Sequence, residues 1–170
     1  ALAAALGEMA AGFSVAKAAS DADRARLEAL AKEFGAARIS LQSAMQQDSD
    51  SYAAVEAALK MPKGTEEEKN ARKRRMQQAL QAAALTPMGV AETAASVLQA
   101  LGRLEPMSNP NLRSDLQTGV ATAHAAIRGA LANVAINLQS IGDEAFREAL
   151  RQRAAAVAAL DSGFRIPDSG

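Results

Sequence analysis

Leu27-Glu28-Ala29-Leu30-Ala31-Lys32-Glu33-Phe34-Gly35-Ala36-Ala37-Arg38-Ile39-Ser40-Leu41 decides the fold of this chain. Its apolar positions Leu27, Leu30, Phe34, Ala37 and Leu41 recur every three or four residues, which is one face of an α-helix. The pattern continues through Met45, Tyr52, Val55 and Leu59 and stops at Pro62, because proline disfavours helix in the residue before it. The polar stretch from Gln46 to Ser51 reads as helix or as a break within that run. Upstream, Ser20 or Asp21 caps this helix, and Ala1 to about Ala18 forms an earlier one that is apolar nearly all round. Such a helix is expected at the centre of the core.

Downstream, Thr65-Glu66-Glu67-Glu68 is a capping box that starts a helix reaching about Leu85. Pro87 suits the first turn of a further helix ending near Leu104. Glu105 to Arg113, with two prolines, predicts a loop, and Ser114-Asp115-Leu116-Gln117 predicts a second capping box and a helix to about Ile141. Asp143 starts a last helix through about Leu160. No strand pattern or fixed-period repeat occurs. The predicted fold is all-α, a multihelical array with a central apolar helix that packs through helices into a dimer. One domain spans 1–162, and 163–170 reads as a loose tail.

The chain has 170 residues, enough for one domain with its own core. Aromatics are only 3%, without Trp, so Ala, Leu and Val fill the interior and helices pack closely. Cys is absent, which excludes disulfides, thiolate catalysis and Cys-based metal sites and fits a cytoplasmic protein. With one His and no Cys, composition argues against an all-protein zinc site. Zero formal net charge gives no global field that would favour nucleic acid or an anionic membrane. Ala1 to Ala16 is apolar enough to suggest a signal peptide, but it lacks a basic start and Glu8 interrupts it, so a buried helix is the better reading.

Polar groups in this apolar background carry the functional signal. A buried amide costs about 1–3 kcal/mol unless it finds partners. Asn133 and Asn137, one turn apart on a face shared with Gly129, therefore read either as structural amides or as ligand contacts. Asn109-Pro110-Asn111-Leu112-Arg113-Ser114-Asp115 places several polar groups at the positive end of a helix, where acceptors are stabilised. Asp48 and Tyr52 share a helical face, as a solvated polar turn or as a carboxylate beside an aromatic platform. Lys63 lies near the negative pole of a helix or meets an anionic ligand. The run Lys69, Arg72, Lys73, Arg74 and Arg75 reads as a solvated face, with no aromatic interleaving for nucleic acid. His124, one turn before Arg128, reads as structural.

Taken in order, Asp48-Ser-Asp-Ser-Tyr52, Met61-Pro-Lys63, Glu66 to Arg72, Pro87, Ala91-Glu92, Asn109 to Asp115, Asn133 to Leu138 and Asp143 to Phe146 resemble the cyclodeaminase domain of formiminotransferase-cyclodeaminase. The chain is also similar to bacterial methenyltetrahydrofolate cyclohydrolases of the same fold. That family opens with a Pro-Gly-Gly-Gly-Ser-type segment, and this sequence begins just after its place. The resemblance implies an all-helical homodimer that binds a tetrahydrofolate one-carbon derivative, with no metal and no cofactor beyond that substrate. It implies that Asp48 is the acid–base carboxylate. Tyr52, in the same matching segment, would contact the substrate. Asn109, Asn111, Ser114 and Asp115 would recognise the pterin and one-carbon group, Asn133 and Asn137 would orient loop or ligand, and Lys63 and Arg72 would meet the glutamate tail.

The activity so implied is formiminotetrahydrofolate cyclodeaminase, an ammonia-lyase. Cyclohydrolase is the alternative on the same fold. A non-catalytic helical scaffold is the alternative in another class, since long Ala-rich amphipathic helices are ordinary in such proteins.

Overall fold

The computed structural model describes residues 1–164, and within them every regular element is helical. The elements are α1 (Leu2–Val15), α2 (Asp21–Lys60), α3 (Glu66–Leu104), two single 3-10 turns (Glu105–Met107 and Pro110–Leu112), α4 (Arg113–Leu138) and α5 (Glu144–Gly163). α2 runs for 40 residues without a break, so Gln46 to Ser51 is helix. At ~1.5 Å per residue it is about 60 Å long.

Local signals set most boundaries. The Ser20 hydroxyl accepts the Asp23 N–H at 3.1 Å and caps α2, which ends at Lys60, ahead of Pro62. Thr65 and Glu68 form the reciprocal capping box of α3, and Asp143 accepts the Phe146 N–H to cap α5. Two boundaries differ from the sequence reading. Pro87 does not begin a helix; it is buried inside the 39-residue α3. Ser114 does not cap α4, because Asn109 and Pro110 start a 3-10 turn that runs straight into it, and Leu112 takes the N-cap position. α5 also continues to Gly163, and Phe164 packs partly buried against the core, so these two residues of the predicted tail are ordered parts of the domain. Positions 165–170 lie outside the described residues.

α2 and α3 form a long antiparallel hairpin, and α1 and α4 pack along its base. The second half of α3 is the centre of the core: Met88, Ala91, Leu98, Leu101 and Leu104 are buried. α1 meets the expectation of burial on one face only. Ala3, Ala4, Gly7, Ala10, Ala11 and Ser14 face inward, while Leu2, Met9 and Phe13 are exposed. The small inner face lets α2 approach closely, and the buried Phe34 ring lies directly against Gly7. An Arg38–Glu8 hydrogen bond of 2.7 Å adds a polar tie between the same helices.

Candidate active site

α2, α3 and α4 enclose an open cleft of about 350 Å³. Leu41, Met45 and Asp48 line it from α2, Thr86, Pro87 and Val90 from α3, and Ala126, Ala130 and Asn133 from α4. Asp48 and Asn133, distant in sequence, therefore share one cavity. Both are exposed, and neither is held by a hydrogen bond or ion pair among the described residues, so a carboxylate and an amide remain available in an otherwise mostly apolar hollow. Tyr52 lies one turn after Asp48, is 67% exposed, and does not line the cleft within this chain.

Asn137, one turn beyond Asn133, is already engaged. Its side-chain N–H donates to the Ala83 carbonyl at 2.9 Å. Pro87 has no N–H, so that carbonyl, four residues earlier in α3, lacks its usual helical donor. Asn137 is thus a structural amide. Gly129 lies in the open, where an added Cβ would meet nothing within 4 Å.

Arg72 and Lys63 border a second hollow, of about 310 Å³, at the hairpin tip, together with Lys69, Lys73 and Met76. Arg72 is spent on structure: its guanidinium donates to the Ala58 and Leu59 carbonyls at 3.2 and 3.1 Å and closes the C-terminal end of α2. Lys63 is exposed. This end of α2 lies about 18 Å along the helix axis from Asp48, at ~1.5 Å per residue.

Asn109, Asn111, Ser114 and Asp115 are not brought to the cleft within one chain. They sit at the start of α4, and Asp115 is about 27 Å along its axis from Asn133, at ~1.5 Å per residue. The Asn109 side chain accepts the Asn111 N–H at 3.1 Å, closing its own turn. The backbone N–H of Asn109 donates to the buried Ser14 hydroxyl at 2.9 Å, which pins the turn to α1.

Sequence reasoning missed the α3 wall at Thr86 to Val90, since Pro87 read as a helix start. It also missed Asp161, a buried carboxylate that meets His124 Nδ1 at 2.5 Å and accepts from Arg128 at 3.0 Å. Burial works against the Asp161 charge, but those two hydrogen bonds and the positive charge behind them hold its carboxyl below the ordinary value of 3.8. The cluster joins α4 to the end of α5 and confirms His124 as structural. Among the described residues, no group of three or more His, Asp or Glu could hold a metal ion, and no helix is long and apolar enough to cross a membrane.

Residues 1–156 match the family model described as formiminotransferase-cyclodeaminase. The chain belongs to the formiminotransferase-cyclodeaminase family. It is 37% identical over 129 residues to the formimidoyltransferase-cyclodeaminase of Sus scrofa, which covers 76% of this chain and 24% of that relative. It therefore spans about a quarter of the length of that curated relative. It is 32% identical over 111 residues to the methenyltetrahydrofolate cyclohydrolase of Methylorubrum extorquens, covering 65% of this chain and 53% of that relative. Among solved structures, the formiminotetrahydrofolate cyclodeaminase of Thermotoga maritima superimposes with a TM-score of 0.83 at 28% identity, over 95% of this chain and 76% of that one. Within this family fold, the cleft between α2, α3 and α4 is lined by both Asp48 and Asn133.

Proposed function

We propose that this domain is a formiminotetrahydrofolate cyclodeaminase, an ammonia-lyase of one-carbon metabolism acting in the cytoplasm. The observation that carries the reading is Asp48 and Asn133 in one cleft, in a chain that shares its fold with a solved cyclodeaminase. In the proposed reaction N10 of 5-formiminotetrahydrofolate attacks the formimino carbon and forms a tetrahedral centre. Asp48 takes the proton from N10 and returns it to the amino group. The carbon–nitrogen bond to that group then breaks, ammonia leaves, and 5,10-methenyltetrahydrofolate remains. Asn133 hydrogen-bonds the substrate, while Leu41, Met45, Pro87 and Val90 supply an apolar surface for the flat pterin. Holding N10 against the carbon adds a proximity effect to the proton transfer. The reaction needs no metal and no redox cofactor.

We assign the cationic hollow at the hairpin tip to the anionic glutamate tail, with Lys63, Lys69 and Lys73 as its contacts. Arg72 supports that hollow by closing α2. Within one chain the turn from Asn109 to Asp115 is too distant from Asp48 to share a pterin, so its role in folate recognition requires a second copy. A homodimer is part of the proposal. α1 is apolar nearly all round, a property of helices buried on every side, yet Leu2 is 57% and Phe13 64% exposed. A second copy of the chain, with its matching apolar face, covers them.

Cyclohydrolase is the second reading, favoured by the Methylorubrum extorquens relative. Assays with the 5-formimino and the methenyl substrates, following methenyl absorbance and ammonia together, separate the two. Ammonia release with growth of methenyl absorbance supports the cyclodeaminase, and turnover of methenyl substrate alone selects the cyclohydrolase. Asp48→Asn should lower kcat by about 10²–10⁴-fold, the usual contribution of one positioned acid–base group. Full turnover by that variant would remove Asp48 from the mechanism.

A further inference from the structure

The contact between Asn137 and Ala83 lies one helical turn from the cleft residues Asn133 and Pro87 and does more than satisfy an amide. Pro87, which strands the Ala83 carbonyl, is itself a wall residue, and Thr86 and Val90 beside it are wall residues too. Asn133, the free amide of the cleft, is one helical turn before Asn137 on the same face of α4. The hydrogen bond from Asn137 therefore fixes the Pro87 segment of α3 against the segment of α4 that carries Asn133.

The other polar ties near this point do not hold that segment as firmly. Thr86 bonds back to the Ala82 carbonyl at 3.4 Å and meets the Ser51 hydroxyl at 3.4 Å, both long. Gln77 accepts the Gly142 N–H at 2.7 Å and Gln81 meets Asp143 at 3.3 Å, but these are turns away, toward the hairpin tip. Of these amides Asn137 is the one nearest the cleft and the one that joins α3 to α4 itself, and its bond of 2.9 Å is of ordinary full strength and goes to the backbone carbonyl that Pro87 leaves without its usual donor.

We propose that Asn137 is a positioning residue. By holding the carbonyl that Pro87 frees, it sets the spacing between the Thr86–Val90 wall and Asn133, and so the alignment of N10 with the one-carbon group. The proposal rests on the cyclodeaminase reading of the cleft. Asn137 touches no substrate; it acts through α3.

The experiment is a double-mutant cycle of Asn137→Ala and Pro87→Ala, read by melting temperature and by steady-state kinetics of the full chain. Asn137→Ala should lower kcat at least tenfold while KM stays within threefold, since misplaced reacting groups slow attack more than they weaken binding. With Ala at 87, the backbone N–H of that residue can bond Ala83 again. In the Pro87→Ala background, Asn137→Ala should then cost neither melting temperature nor further kcat. A lowered melting temperature with unchanged kcat makes Asn137 merely structural and overturns the proposal, as do strictly additive effects of the two changes. If the unmodified chain turns over neither folate substrate, the functional reading falls and the positioning role falls with it. If it does turn over, the cycle judges Asn137 alone.

Discussion

A Cβ placed on Gly7 would lie 2.5 Å from Cε1 of Phe34. That ring is fully buried between α1 and α2, so it cannot swing into solvent to make room. Gly7→Ala gains helix propensity of about 1 kcal/mol but overpacks the core, which costs about 1–3 kcal/mol. The clash wins, and the urea midpoint should fall. Gly129→Ala is the control: its Cβ enters open space, so the midpoint should stay level or rise. An unchanged midpoint for Gly7→Ala would mean the helices are free to part at this contact.

Arg72 and Lys63 border the same hollow with different jobs. Arg72→Ala removes its hydrogen bonds to the Ala58 and Leu59 carbonyls at the end of α2 and should lower stability by about 0.5–1.5 kcal/mol per bond lost. Lys63→Ala touches no such bond and should leave the melting temperature level while raising KM for a polyglutamylated folate over the monoglutamate. Equal KM for both folates in that variant would detach the hollow from the glutamate tail.

Phe13→Glu places a charge in the exposed apolar face of α1. It should turn a dimer into a monomer in light scattering after size exclusion, with the helical circular dichroism retained. A variant that stays dimeric would place the contact on another face.

Asp161 gives the chain a defined acid sensitivity. Its folded-state pKa is lowered, so its stabilisation is fully present above the unfolded value and drains away as pH falls through the folded one. Loss should start below about pH 4, where an unfolded Asp begins to bind protons. Asp161→Asn should be less stable at neutral pH and should show a shallower fall of melting temperature between about pH 4 and pH 2. Parallel pH curves for the two proteins would assign the acid response to other carboxylates, Glu8 first among them, since its hydrogen bond from Arg38 also lowers its pKa.

What the sequence displayed and what it hid divide by range. Ser20, Thr65 with Glu68, Pro62 and Asp143 act on neighbours within one turn, and each marks a real helix end. Pro87 misled because its missing donor is made good from Asn137 on another helix, which no local pattern can register. A proline in an Ala-rich run, with an asparagine inside an apolar helix elsewhere, was the available clue. Ser114 misled for a local reason: the 3-10 turn at Pro110 leads directly into α4 and leaves no capping position for it. Pairing Asp48 with Asn133 needed the packing of α2 and α4. The separation of Asp115 from Asn133 was implicit once both lay on one unbroken helix, because helical rise alone keeps them apart.

The hairpin of α2 and α3 outruns the rest of the molecule. No residue of α3 before Ala79 is buried, and beyond Asp48 only Ser51 and Ala58 of α2 are. Two rods with no third layer over them shield little apolar surface, so this arm sits at the low end of the local stability scale while the base of α3 sits at the high end. Amide hydrogens near Lys63 will trade with deuterium long before those near Leu101, and the distal arm will breathe open while the body of the protein stays shut.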